Sequence, residues 1–304
     1  MSYILLEIIN SKGWILADGA TGTNMFDLWS DLPPGAALEP LCITMPERVK
    51  HLHTLFLDKG SDIILTNSFG ANACRLKLHG MEDKTYELNR RAAEIARSTA
   101  STYNRKILIA GSVGPTGELL QPLGTLTSEH ALSVFSKQII ALRDGGVDFI
   151  WGETLSSIEE ALIIAKASTN AGLPFSICMS FDTAGKTMMG ISPSQFVKYF
   201  TNSTEYTPIA LGANCGVGSL KLLDSIREMK YTGSDIPLIA KGNAGIPEYV
   251  GGKIEYNESS EDMALYAGMA HDAGARIIGG CCGTTPNHIG AFYSTLSEKN
   301  ILRK

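Results

Sequence analysis

A closed (β/α)8 barrel is the fold the sequence predicts, and three observations predict it. Eight short apolar, β-branched runs alternate with eight amphipathic stretches along the 304-residue chain, with no linker or low-complexity break between them. The runs are nearly continuous in apolar character, as in Asp62-Ile63-Ile64-Leu65 and Ile107-Leu108-Ile109-Ala110, which suits parallel strands buried on both faces. Eight such units in roughly 300 residues favour a closed barrel over an open sheet. A doubly wound sheet is the alternative, but the first turn reads Asp18-Gly19-Ala20-Thr21-Gly22-Thr23 and carries no G-x-G-x-x-G. The whole of residues 1–304 is expected to form this one barrel domain.

The predicted strands are 14–17, 62–67, 107–112, 148–153, 175–180, 209–214, 238–241 and 276–280. The first clear helix, Pro46–Asp58, opens on proline, whose missing N–H costs nothing in a first turn. A helix over 86–102 sets Leu88, Ala92, Ile95 and Ala96 on one stripe. The next, 128–143, has Ser128 as its expected N-cap and stops before Gly145-Gly146. Further helices are expected at 157–171, 192–200, 219–229, 260–271 and 286–296.

Composition narrows the function. With 44% hydrophobic and 19% charged residues and a net charge of −5, the chain has an ordinary globular balance and no basic patch for nucleic acid or anionic lipid. No run approaches the roughly 18 uncharged apolar residues of a membrane span. The N-terminal Met1–Asn10 stretch carries Glu7 and lacks a basic region or cleavage site, so a cytoplasmic protein is expected. Oligomeric state is not readable from the sequence.

Six cysteines stand at 42, 74, 178, 215, 281 and 282. Cys42, Cys74 and Cys178 read as small buried hydrophobes. Cys215 and the Cys281-Cys282 pair read differently. A barrel works at the C-terminal ends of its strands, and these thiols follow the sixth and eighth. The Gly279-Gly280-Cys281-Cys282-Gly283 run lets the backbone leave strand geometry so that adjacent thiols can reach one metal. Three protein ligands with one open position make a catalytic zinc, and thiolates select Zn2+ over magnesium or calcium.

Three thiolates overcompensate Zn2+ and make bound water a poor acid. An incoming thiol fits better: free, it is mostly protonated at neutral pH, with a pKa near roughly 8.5. On the metal it loses its proton and stays electron-rich. The chemistry indicated is alkyl transfer to sulfur. A Schiff base on Lys241 is the competing reading, but it leaves the three thiols without a task.

The chain resembles the homocysteine S-methyltransferase family over nearly its whole length. The resemblance lies in the Asp18–Thr23 turn, Asn214-Cys215-Gly216, and Gly279–Gly283 with Thr284-Thr285-Pro286. Thr66-Asn67-Ser68-Phe69-Gly70-Ala71-Asn72 and Lys241-Gly242-Asn243-Ala244-Gly245-Ile246-Pro247-Glu248 resemble its bacterial stand-alone betaine–homocysteine branch. The resemblance implies the barrel, zinc on Cys215, Cys281 and Cys282, and homocysteine as methyl acceptor. It makes Glu153 the acid that holds the substrate ammonium and Asp18 the acid of the first loop, with Asp18, Gly19 and Asn214 among the homocysteine-binding residues. Independently, a carboxylate at Glu153 suits an ammonium, and loop N–H groups such as that of Gly19 suit the substrate carboxylate.

The methyl donor must carry a good leaving group, so a small onium compound is expected. Aromatic rings recognise such cations, and Trp29, Phe69 and Trp151 are the candidates. A cobalamin-binding Asp-x-His-x-x-Gly loop is absent. Where the animal betaine enzymes have a Trp after the first loop, this chain has Leu41-Cys42; where they have a Tyr after the second strand, it has Gly70. The expected donor is a betaine-like zwitterion, glycine betaine or dimethylsulfoniopropionate. S-methylmethionine or S-adenosylmethionine is the alternative. A non-catalytic zinc-binding protein is the reading of a different class, and it has no need of Glu153.

Overall fold

The computed structural model describes residues 2–202, 205–251 and 253–301. Met1 and residues 302–304 of the expected domain lie outside the described residues. The strands are β1 (Ile15–Leu16), β2 (Ile63–Leu65), β3 (Leu108–Val113), β4 (Phe149–Leu155), β5 (Phe175–Met179), β6 (Ala210–Asn214), β7 (Leu238–Gly242), β8 (Glu248–Val250), β9 (Lys253–Glu255) and β10 (Ala275–Gly280).

Eight of them form one parallel sheet in the order β1-β10-β7-β6-β5-β4-β3-β2. A parallel bridge between Ala17 and Ile63 joins the two ends, with Asp62 N–H donating to Leu16 O at 2.7 Å and Asp18 N–H to Ile63 O at 3.0 Å. The sheet therefore closes into the expected (β/α)8 barrel, with helices between its strands.

Both faces of the eight barrel strands are buried, which is why these strands read as unbroken apolar runs. Ile15, Ile63, Leu65, Leu108, Phe149, Trp151, Cys178, Ile239 and Ile277 point inward and fill the barrel. Their neighbours Leu16, Ile64, Ile109, Ile150, Ile177, Leu211 and Ile278 point outward, into the layer shared with the helices.

Local chemistry sets the helix starts. Pro46 opens Pro46–Asp58. The Ser192 and Ser259 side chains cap their helices reciprocally with Gln195 and Asp262. One expected cap is corrected: Ser128 is the first helical residue, and the Thr127 hydroxyl accepts the His130 N–H at 3.1 Å. Thr127 is extended, with φ −82° and ψ 154°, the backbone an N-cap requires.

The structure adds elements that were not expected: short helices such as Gly22–Leu28, and two larger features. A helix, Ser2–Lys12, precedes β1 and packs Leu5, Ile8 and Ile9 against the inward-facing side chains. Lys12 pairs with Asp62 just before β2 at 2.7 Å, placing this helix at the N-terminal end of the barrel, opposite the cysteines. An antiparallel ribbon of β8 and β9 follows β7, with Tyr249 and Ile254 paired and exposed. Among the described residues no helix is long and apolar enough to cross a membrane.

Candidate metal centre

The cysteines are gathered by the C-terminal end of β7, which lies between β6 and β10 in the sheet. Cys215 follows β6 and donates its N–H to Lys241 O at 3.1 Å. Cys281 follows β10 and donates to Gly242 O at 2.8 Å, while Cys282 O accepts the Ala244 N–H at 2.9 Å. Cys215 has a φ of 63°, a left-handed conformation that turns the chain sharply out of its strand.

The second turn depends on its glycines. A Cβ on Gly280 would lie 2.2 Å from Thr284 Oγ1, and that hydroxyl donates to Cys281 O at 2.6 Å to close the turn. Gly283 has a φ of 77°, and a Cβ there would meet Tyr256 Cβ at 2.3 Å. Asn24 ties the turn to the first loop, its Nδ2 donating to Thr284 O at 2.8 Å.

The result is one cluster. The Sγ atoms of Cys215, Cys281 and Cys282 all lie within 4.8 Å of one another, and those of Cys215 and Cys282 are 3.9 Å apart. Tetrahedral zinc with Zn–S bonds of roughly 2.3 Å needs sulfurs roughly 3.8 Å apart, so the donor set fits the ion. All three side chains are half-buried and none is in a disulfide.

Their protonation points the same way. For Cys215 a hydrogen bond with Cys281 favours the thiolate, but its bond to Cys282, burial and the Cys282 charge prevail and push it up to about 11. Cys282 is pushed up to about 12: its bond with Cys215 favours the thiolate, and that with Cys281 and the Cys281 charge outweigh it. Packed sulfurs cannot share several negative charges alone, and a dication is the complement they lack. Beside them, buried Asn243 donates to Gly216 O at 2.8 Å, and its Oδ1 has no hydrogen-bond partner among the described residues.

Below the cysteines lies a buried charged group. Asp18 follows β1 and accepts Leu65 N–H at 2.7 Å on one oxygen and Lys241 Nζ at 2.9 Å on the other. Both side chains of this ion pair are 3% exposed. Lys241 Nζ also stands 5.4 Å from the centre of the Trp151 ring. Burial acts to lower Lys241, but the charges of Asp18, Glu153 and Cys281 overcome it and hold the ammonium protonated above its ordinary range. Burial raises Asp18, opposed by Lys241 and the Leu65 N–H.

Glu153, on β4, is buried and accepts a hydrogen bond from the Ser112 hydroxyl on Oε1. Ser112 is held in turn by its N–H to Thr66 Oγ1 at 3.0 Å. Burial raises the Glu153 carboxyl, against the opposing pull of Lys241 and Ser112. Asn214 sits between the acid and the cysteines. It bonds the Thr154 backbone and hydroxyl and lies 3.7 Å from Cys281 Sγ through Nδ2. Gly19 is buried where a Cβ would come 2.8 Å from Phe56 and 2.9 Å from the Thr284 hydroxyl.

The three aromatic candidates have separate neighbours. Trp151 is inside the barrel against Phe149 and under Lys241. Phe69 is half-buried beneath the Arg75 guanidinium. Trp29 ends the helix Gly22–Leu28 and packs against His51 and Arg48. No ring contact joins them among the described residues.

Sequence reasoning passed over Tyr256, Ser112 and Thr154. Tyr256 comes from the stretch after β9 and packs on Gly283, beside Cys282. Only the folded chain brings it there. Lys241, the competing Schiff-base candidate, is instead ion-paired with Asp18, 223 residues away, a contact with no signal in the sequence.

A family model described as "Homocysteine S-methyltransferase" matches residues 15–296. The methionine synthase of Mycobacterium leprae is 29% identical over 310 residues, covering 97% of this chain and 25% of that protein. The methionine synthase of Mycobacterium tuberculosis is 29% identical over 299 residues, covering 94% and 25%. The chain thus spans about a quarter of the length of these curated relatives. In fold it is similar to the homocysteine methyltransferase MmuM from Escherichia coli. The metallated form gives a TM-score of 0.79 at 22% identity, covering 95% of this chain and 99% of that chain. The oxidized form gives 0.79 at 24%, covering 97% and 99%.

Proposed function

The chain belongs to the homocysteine S-methyltransferase family, and from that premise we propose that it transfers a methyl group from a small onium donor to the thiol of homocysteine, giving methionine. The observation that carries this reading is the cluster of Cys215, Cys281 and Cys282 sulfurs within 4.8 Å, next to a buried glutamate. The names of the relatives agree with it from two sides: methionine is what the mycobacterial proteins are named for making, and homocysteine is what the E. coli protein is named for methylating. That E. coli protein also has a metallated form.

Zinc is the cofactor in this reading, and Cys215, Cys281 and Cys282 hold it. When bound there, it would lower the pKa of an incoming thiol, so that the proton is lost to solvent and the sulfur is left electron-rich toward a methyl carbon. The protein's own residues do the rest. Glu153 takes the substrate ammonium, fixed by Ser112 so that its carboxylate meets the amino acid in one orientation. The first loop, at Gly19, offers backbone N–H to the substrate carboxylate. Asn214 holds the acid-bearing strand and the cysteine turns in one frame.

In the transfer, a new bond forms between sulfur and the methyl carbon. The carbon–nitrogen or carbon–sulfur bond of the donor breaks, and its electrons leave with a neutral amine or sulfide. A betaine-like zwitterion is the proposed donor, with S-methylmethionine or S-adenosylmethionine the alternative. The anionic sulfur cluster attracts any of these cations, and Trp29, Phe69 and Trp151 are the rings available to receive one.

The test is methyl transfer by zinc-quantified protein. Homocysteine is offered with glycine betaine, dimethylsulfoniopropionate, S-methylmethionine or S-adenosylmethionine separately. Methionine from one donor, with stoichiometric zinc, establishes reaction and donor together. No methionine from any donor, with zinc present, sinks the proposal and leaves only the metal site.

A further inference from the structure

We propose that Tyr256 is a positioning residue of the metal centre: its phenol hydroxyl donates to the Cys282 sulfur and holds that ligand, completing a set of donors that gives each of the three cysteines one partner. This rests on the zinc assigned above and says how its ligands are held.

Each sulfur of the cluster has a donor of a different kind. Cys281 Sγ faces Asn214 Nδ2 at 3.7 Å. Cys215 is hydrogen-bonded by the backbone N–H of Gly216. Cys282 is hydrogen-bonded by the side chain of Tyr256. A phenol keeps its proton up to a pKa of roughly 10, so at neutral pH the hydroxyl donates and the sulfur accepts.

The fold leaves Tyr256 little freedom. Its Cβ, Cγ and Cδ2 stand 2.3, 2.4 and 2.9 Å from where a Cβ on Gly283 would lie, so the ring covers the residue next to Cys282. Just beyond it, Glu258 pins the chain on three sides. Its N–H donates to Ala244 O at 3.1 Å, its Oε2 accepts the Ser219 hydroxyl at 2.7 Å, and its carbonyl meets His288 Nε2 at 3.2 Å. Asn257 Nδ2 donates to Glu248 Oε2 at 2.9 Å and closes the base of the β8–β9 ribbon. The ribbon itself is exposed at Tyr249 and Ile254, and its base is the part that reaches the cysteines.

Charge gives the donors their purpose. Three thiolates and Zn2+ sum to −1, and a substrate thiolate brings the half-buried centre to −2. A hydrogen bond to an ionised acceptor is roughly twice as strong as a neutral one. Donors to metal ligands fix their orientation and set both affinity and electron density at the metal.

The test loads the protein with Co2+, whose thiolate charge-transfer band reports the electron density of the sulfurs, and measures the zinc Kd by chelator competition. Tyr256→Phe keeps the ring on Gly283 and removes only the hydroxyl. It is expected to move the cobalt band to longer wavelength and to raise the zinc Kd by about 10-fold, with the melting midpoint of the chelated protein unchanged. Tyr256→Leu, which also lacks the hydroxyl, should move the band the same way and repeats the test should the Phe variant fold poorly.

A shifted band with weaker zinc binding and an unchanged chelated melt supports the assignment. An unchanged band in a folded variant overturns it and leaves Tyr256 as packing for Gly283. A chelated protein destabilised by Tyr256→Phe also overturns it, because the hydroxyl then serves the scaffold. If neither variant folds, Tyr256 is a structural requirement and the proposal falls. Wild-type protein that takes up no metal, or shows no thiolate band with Co2+, overturns the zinc assignment itself, and is seen before any variant is made.

Discussion

Asn214 and Thr154, 60 residues apart, hold each other by two hydrogen bonds: Thr154 N–H donates to Asn214 Oδ1 at 2.8 Å, and Asn214 Nδ2 donates to Thr154 Oγ1 at 2.7 Å. Thr154 has a φ of 58°, uncommon for a β-branched residue, and it directly follows Glu153. Asn214 directly precedes Cys215. One amide therefore links the backbone that aims the acid to the backbone that aims a metal ligand. Asn214→Ala leaves the Thr154 groups unpaired and is expected to cost about 1–3 kcal/mol of stability. It should also raise KM for homocysteine by roughly 10-fold, since small misplacements are expensive in such sites. Urea unfolding and steady-state kinetics check both; unchanged KM in a destabilised protein would reduce Asn214 to a packing residue.

Gly283→Ala is expected to disable the second cysteine turn. The substitution meets a φ of 77° and Tyr256 Cβ at 2.3 Å, a contact no rotamer relieves because the backbone fixes where Cβ lies. A cost above about 1 kcal/mol follows from the strained conformation alone. The specific readout is zinc content after gel filtration, which should fall well below one per chain. Gly185→Ala is the control, since Gly185 also has positive φ, at 77°, but nothing within 4 Å of its Cβ. Equal zinc loss in both variants would show that backbone strain, not the Tyr256 contact, disables the site.

The barrel was legible because burial on both faces leaves a direct trace. A strand such as Ile63–Leu65 must be apolar at every position, and it reads so. The cysteine turn was legible because two adjacent thiols among glycines have few other uses. What could not be read depends on distant contacts. Ser2–Lys12 is one such case: its apolar residues give a helix no polar face until the end of a barrel is there to receive Leu5, Ile8 and Ile9. The β8–β9 ribbon has only three residues in each strand, too few for a period to show. Ser128 and Thr127 are both good capping residues, and only backbone conformation chooses between them. Lys241 looked like a lone rim lysine until the fold brought Asp18 to it.

His53 predicts an acid-dependent loss of stability. It is buried in Pro46–Asp58, its Nε2 has no hydrogen-bond partner among the described residues, and burial lowers its pKa to about 4. The folded protein therefore keeps it neutral while the unfolded chain takes up a proton near the ordinary value of about 6.5. Stability is intact above that value, declines as the pH falls through it, and has lost up to about 3 kcal/mol from this group by pH ~4. Urea midpoints at pH 7.5, 6 and 5 for wild type and His53→Gln measure the effect. The wild type should lose more between the first and last; parallel curves would remove His53 as the cause.

Metal removal separates the site from the scaffold. A core of this size, with both faces of eight strands buried, does not depend on three thiols at one rim. Chelated protein is therefore expected to keep its far-ultraviolet circular dichroism and a cooperative melt, with the midpoint lowered by the lost binding energy. Cys215→Ala, Cys281→Ala and Cys282→Ala should each behave the same way in the fold and lose zinc and turnover by about two orders of magnitude or more, because a two-sulfur site neither retains the ion nor activates a thiol. Global unfolding on chelation would make the centre structural. Retained turnover in any one variant would remove that cysteine from the ligand set, and the orphaned Oδ1 of Asn243 would be the next group to replace.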